Sequence, residues 1–213
     1  YGGNISFVES IDTFVKNLQD VEPTTFAGVP RIYKKFQEKI LEKIPPKRLD
    51  LLLKIPVLSK ILKTKFKKTL GFSKVRTIAS GAAAMPQSLL DWFKSIDIYI
   101  HNGYGMTENC CVCTNLDPYQ ELGKGSVGKI SSKSVKLKIT DNGEICMTGP
   151  FLLDHYYKNE KMTNETLVNG WLHTGDKGYI DKDGFLHITG RIKDIFKTSK
   201  GKYIEPGTLE SNF

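Results

Sequence analysis

Apolar positions recur along this chain in two rhythms, and the change from one to the other divides it. Up to about residue 100 the spacing is mixed. Ile5, Phe7 and Val8 read as a short strand, and Ile11, Phe14, Val15 and Leu18 fall at helical spacing. Thr24 to Val29 is a second strand, closed by Pro30. Arg31 to Lys43 is a helix with Ile32, Phe36 and Ile40 on one side. Pro45-Pro46 breaks the pattern, and two helices follow, Leu49–Leu53 and Val57–Leu70, interrupted at Pro56. In the second, Leu58, Ile61, Leu62 and Phe66 share a face, with Lys60, Lys63, Lys67 and Lys68 around the rest. Val75–Ala79 is a strand. Pro86 opens a helix carrying Leu89, Leu90, Trp92 and Phe93, and Ile96–Ile100 is another strand. Strand and helix in alternation predict part of a parallel-sheet α/β subdomain, with Ser80–Met85 and Asn102–Glu108 as loops at strand carboxyl ends.

From Gly125 the rhythm is two. Val135, Leu137 and Ile139 alternate with Lys136 and Lys138, Asp141-Asn142-Gly143 turns, and Glu144–Met147 returns. Tyr179-Ile180 and Phe185-Leu186 flank the turn Asp181-Lys182-Asp183-Gly184. The expected organisation is therefore α/β over 1–124, a β-rich subdomain over 125–190, and a separate terminal stretch over 191–213.

The chain has 213 residues, of which 39% are hydrophobic, enough for a core. Its net charge of +8 is local: Lys43 to Lys74 holds ten cations against Asp50 alone. The remainder is close to neutral, which excludes a uniformly basic nucleic-acid binder. A basic amphipathic helix can lie on an anionic membrane, so peripheral contact through 57–70 competes with a surface helix packed on its own domain, the favoured reading. Cys110-Cys111-Val112-Cys113 and Cys146 lack a second ligand pair at zinc spacing, and His101, His155, His173 and His187 are scattered. They read as buried, reduced thiols of a cytoplasmic protein, with peripheral attachment to the inner face of a membrane as the alternative. No run of ~18 apolar residues suits a bilayer, and the start at Tyr1-Gly2-Gly3 suggests a fragment. Gly123-Lys124-Gly125-Ser126-Val127-Gly128 fits a dinucleotide expression, but a loop precedes it and strands follow, so an NAD site is rejected.

Two strings carry candidate chemistry. In Gly103-Tyr104-Gly105-Met106-Thr107-Glu108 the glycines allow a close backbone approach and Tyr104 offers a flat face to a purine. Thr107 can donate to phosphate, and Glu108 is a hard oxygen ligand suited to Mg²⁺. In Gly170–Pro206, Asp176 stands alone ahead of a turn, followed by Arg191, Lys193, Lys197, Lys200 and Lys202. A carboxylate for ribose hydroxyls and cations for phosphate fit a nucleotide. Taken singly, each string also reads as a helix start or a solvated turn.

Residues 170–194, GWLHTGDKGYIDKDGFLHITGRIKD, together with Tyr104-Gly105-Met106-Thr107-Glu108, resemble the signatures of the adenylate-forming superfamily. Phe26-Ala27-Gly28-Val29-Pro30-Arg31-Ile32-Tyr33 and Ile195–Pro206 resemble its long-chain fatty acyl-CoA synthetases. The resemblance implies the back part of that large domain, its β-rich portion a distorted barrel, with a hinge and the start of a small domain over 191–213. It implies ATP, Mg²⁺, a fatty acid and CoA as ligands. By that resemblance Gly81 and Ala82 border adenine and acyl chain, and Asn102, Gly103, Tyr104 and Gly105 surround the adenine. Thr107 meets the α-phosphate, Glu108 holds the metal, and Asp176 and Arg191 lie on the ribose. Lys193 marks the hinge, and Lys197 points to the nucleotide in one state. Thr107, Glu108 and Lys197 are the catalytic set it implies.

The sequence departs from the family at Ser80-Gly81-Ala82-Ala83-Ala84, where S-G-G-A-P is usual, and at His155, where Gly is usual. It also lacks a Gly-rich phosphate loop and a second catalytic lysine. The expectation is a piece of a long-chain fatty acid–CoA ligase without turnover of its own. The alternatives are a ligase that loads a carrier protein, and a non-catalytic nucleotide- or membrane-binding module.

Overall fold

A computed structural model describes residues 2–10, 12–111, 113–119, 122–194, 196–197 and 203–204, the last two pairs as backbone. The chain forms two compact units: Tyr1–Ala79 with Ser88–Ile100, and Ser80–Gln87 with His101–Phe213.

The first unit is helices on a short sheet. Helix α1 spans Phe14–Val21, strand β1 Thr25–Gly28 and α2 Pro30–Lys43; α3 is Pro46–Leu53, α4 Pro56–Thr69, β2 Thr77–Ser80 and α5 Gln87–Ser95. Prolines 30, 46 and 56 open α2, α3 and α4, where a missing N–H costs nothing. The amides of Arg76 and Thr77 donate to the Thr24 carbonyl, so β1 and β2 start side by side and run parallel. Tyr33, Phe36, Phe72 and Phe93 are fully buried and, with Phe26, meet mostly edge to face.

Three expectations fail here. Residues 5–8 form no strand, and Ile5 and Phe7 are exposed. Residues 96–100 form no strand either. Asp97 takes a left-handed conformation after α5, with the Ile98 amide bonded to the Phe93 carbonyl. That helix stop buries Ile96, Ile98 and Ile100 as irregular chain and delays the strand to His101. In α4 the inward stripe is Ser59, Leu62 and Phe66; Leu62 and Phe66 face inward as expected, but Leu58 and Ile61 are exposed.

The second unit is mainly antiparallel. Strand β3 (His101–Tyr104) pairs with β4 (Thr114–Leu116), which pairs with β5 (Lys129–Ile130). Then come β6 (Lys136–Ile139), β7 (Glu144–Thr148), α6 (Glu160–Thr166), β8 (Leu167–Val168), β9 (Trp171–Ile180) and β10 (Leu186–Arg191). These strands make a sheet in the order β10-β9-β7-β6, with β8 also on β9. Strands β11 (Phe196–Lys197) and β12 (Tyr203–Ile204) form a separate antiparallel pair. The core is Cys113, Ile145, Met147, Leu172 and Leu186. The overall class is α/β, as expected. Of the cysteines expected to be buried, Cys113 and Cys146 are, but Cys110 and Cys111 are exposed. Both of the exposed pair have positive φ, in a turn that points them outward. No helix among the described residues is long and apolar enough to cross a membrane.

Candidate functional site

Strand β9 alternates strictly, with Leu172, Thr174, Asp176 and Gly178 on its buried side. Asp176 therefore occupies a position where an apolar residue would be cheapest, and a carboxylate persists there only with partners. It has two. Its cross-strand neighbour Arg191 donates from Nε to Oδ1 at 3.0 Å, and Tyr104 donates from Oη to Oδ2 at 2.6 Å. The Asp176 amide also donates to Thr174 Oγ1 at 3.1 Å. Burial first, and then the Asp176 charge, push the Tyr104 phenol well above its ordinary pKa. The hydroxyl accordingly stays a donor.

Tyr104 ends β3, where Gly103 and Gly105 flank it. A Cβ on Gly105 would lie 2.5 Å from the Cys111 backbone, so the turn closes only around glycine. The chain then enters a 3-10 turn over Thr107–Asn109. Thr107 is exposed. Glu108 is half-buried, and its Oε1 accepts from Tyr156 Oη at 2.8 Å. Asn102 is buried, its amide on the Ser126 carbonyl. Gly81 lies against Gly103: a Cβ built on it would meet the Gly103 carbonyl at 3.6 Å. Ala82 holds a φ of 65°. Beside them, Ser80 Oγ is buried without a hydrogen-bond partner among the described residues.

The structure thus brings Gly81 to Gly103, and Tyr104 to Asp176 and Arg191. Lys193 is exposed in the turn Ile192–Asp194. Lys197 has its backbone in β11, and its side chain lies outside the described residues. Tyr156, the partner of Glu108, was not singled out by the sequence. Its only signal was an aromatic pair in a loop, and Tyr157 beside it is exposed. His155 pairs with exposed Asp154.

The donors suit a nucleotide. A carboxylate accepts about four hydrogen bonds, so two partners on Asp176 leave room for ribose hydroxyls. The orphaned Ser80 hydroxyl has capacity beside the Gly81 loop. Glu108 offers hard oxygen ligands of the kind a divalent cation takes.

A second cluster escaped the sequence reading. Glu144, Cys146 and His173 face one another across β7 and β9, with ligand atoms within 4.8 Å of one another. The group satisfies itself. His173 Nδ1 lies 2.8 Å from Glu144 Oε2, and the Gly175 amide donates to Oε1. Burial, then Glu144, push the Cys146 thiol up to about 11, away from the thiolate a metal needs.

The sequence pattern of a family described as AMP-binding enzyme matches residues 1–157. The chain belongs to the AMP-binding enzyme family. A mouse long-chain-fatty-acid–CoA ligase, ACSBG2, is 33% identical over 93% of this chain and 34% of its own length. Long chain acyl-CoA synthetase 4 of Arabidopsis thaliana is 32% identical over 99% of this chain and 37% of its own. Among solved structures, o-succinylbenzoate CoA synthetase (MenE) of Bacillus subtilis, in complex with the acyl-adenylate intermediate OSB-AMP, superposes with a TM-score of 0.69. It is 26% identical, covering 95% of this chain and 38% of that one. The chain spans about a third of the length of these AMP-binding relatives.

Proposed function

We propose that this chain forms much of the nucleotide pocket of an ATP-dependent ligase that activates a long-chain fatty acid as its acyl-adenylate and passes it to CoA. The observation that carries the reading is the Tyr104–Asp176–Arg191 group, which ties the two motif strings together in one unit. Gly81, Ala82 and Asn102 to Gly105 border the adenine. Asp176 accepts from the ribose hydroxyls with Arg191 alongside, and Thr107 donates to the α-phosphate. Glu108 would hold Mg²⁺, which supplies charge compensation on the phosphates when bound. The fatty carboxylate attacks the α-phosphorus and pyrophosphate leaves. The CoA thiol then attacks the acyl carbon, and AMP carries away the carboxylate oxygen. Lys197 points to the nucleotide in one of the two states, and Lys193 is the pivot between them. Positioned donors facing developing charge are the main physical source of rate in such a site.

The test uses the intact parent enzyme and fatty-acid-dependent ATP–pyrophosphate exchange. Glu108→Gln is expected to lower exchange by ~100-fold. Asp176→Asn is expected to weaken AMP binding to the 213-residue chain by ~10-fold, measured by calorimetry. That chain alone is expected to make no acyl-CoA. Undiminished exchange in Glu108→Gln removes the assigned role. Product transfer to a carrier protein rather than CoA favours the alternative acceptor.

A further inference from the structure

Helices α3 and α4 form a hairpin whose inner stripe, Leu49, Ser59 and Phe66, is buried in the first unit. The hairpin carries a second apolar surface facing the other way. At the turn joining the helices Leu51 is 63% exposed, Ile55 44%, Val57 70% and Ile61 57%, and Leu58 adjoins them. Val57 and Ile61 lie one helical turn apart on α4 and point one way, while Leu51 sits near the end of α3 and Ile55 in the extended link before α4. Five large aliphatics at one turn exceed the scattered exposed apolar residues of an ordinary surface. Around them Lys47, Arg48, Lys54, Lys60, Lys65 and Lys68 are exposed. Lys67, by contrast, is held by Asp97 at 2.8 Å.

We infer that the α3–α4 turn docks on an anionic phospholipid bilayer, its aliphatic tip entering the acyl boundary and its lysines meeting the headgroups. The charge argues for lipid against protein. A tip destined for burial in a protein would place surrounding ammonium groups where their desolvation is costly. At a bilayer the long lysine stems reach back to water and phosphate while the tip inserts. It argues equally against nucleic acid. The surface offers aliphatics where base stacking needs aromatics, and Arg48 is the sole arginine in the segment 43–74. The site needs neither ATP nor acyl substrate, so it stands apart from the ligase reading.

The experiment is vesicle flotation of the 213-residue chain, without nucleotide, on phosphatidylcholine with and without phosphatidylserine. Binding is expected only with phosphatidylserine, and to fall as salt rises. Val57→Glu with Ile61→Glu is expected to reduce the bound fraction at least ~10-fold, and Lys60→Glu with Lys65→Glu to do the same. All four residues are exposed, so circular dichroism and the thermal midpoint should not change. In the unsubstituted chain, vesicles should slow hydrogen exchange at amides 57–61, a readout independent of any variant's folding. Failure to float, equal floating of the Val57/Ile61 variant, or unchanged exchange at 57–61 overturns the proposal. So does self-association or duplex-DNA binding through this patch in place of vesicle binding.

Discussion

Asp176 is a charge on the core side of a strand, and two donors from different parts of the chain hold it there. Tyr104→Phe removes one of them and leaves the ring in place. Hydrogen bonds to buried charge contribute about 1.5–3 kcal/mol, so the variant should lose that much stability in urea. Tyr157→Phe, at an exposed ring, is the control and should lose nothing. A difference of less than a few tenths between the two would remove Tyr104 as a support of Asp176. Ala82 is the converse case. Its φ of 65° is strained for a side chain with a Cβ, and the family pattern has glycine at this position. Relief of left-handed strain at ~1–2 kcal/mol outweighs the extra unfolded-state entropy of glycine, ~0.4–1 kcal/mol. Ala82→Gly should therefore raise the urea midpoint by a net gain of ~0.5–1 kcal/mol.

At the scale of elements, β9 does most of the positioning. Ten residues long, it carries Leu172 into the core and Asp176 to the site, so core and site share a register. Leu172→Ala should cost ~2–5 kcal/mol and disturb Asp176 with it, read as lower nucleotide affinity in the folded fraction. Much of this was legible beforehand. The turn Asp181–Gly184 follows from its glycine and from Asp181, whose Oδ1 accepts from the Asp183 and Phe185 amides. The proline-opened helices follow from the missing N–H. Asp176 stood out as a lone carboxylate ahead of a turn, in a string that resembles the family signature. What was not legible depended on contacts between distant residues. Nothing local says that Tyr104 meets Asp176, 72 residues away, or that Tyr156 caps Glu108. On α4 Leu62 and Phe66 were placed correctly, but Leu58 and Ile61 were not, because periodicity identifies an apolar side but not which of its residues pack inward. The strand at 96–100 was misjudged because buried isoleucines look alike in a strand and in a helix stop.

Across the whole molecule, each unit has one deeply placed phenol among the described residues, and together they predict how the protein fails in alkali. In the first, Tyr33 is fully buried and donates to the Ala79 carbonyl at 2.6 Å, and burial raises its pKa. In the second, burial and Asp176 do the same to Tyr104. Unfolded, either phenol ionises near pH ~10, while the native form keeps its proton. Above that pH the native state binds more protons than the unfolded state. The stability these groups contribute is therefore complete below about pH 10 and declines as pH rises, by up to about 1.4 kcal/mol per pH unit for each tyrosine. Of the nine tyrosines, these two should stay silent at 295 nm until their own unit opens, then ionise in a step. Tyr33→Phe should remove the step belonging to the first unit and leave that of Tyr104. A smooth titration of all tyrosines near pH ~10, with circular dichroism still native, would mean that neither phenol is held as described.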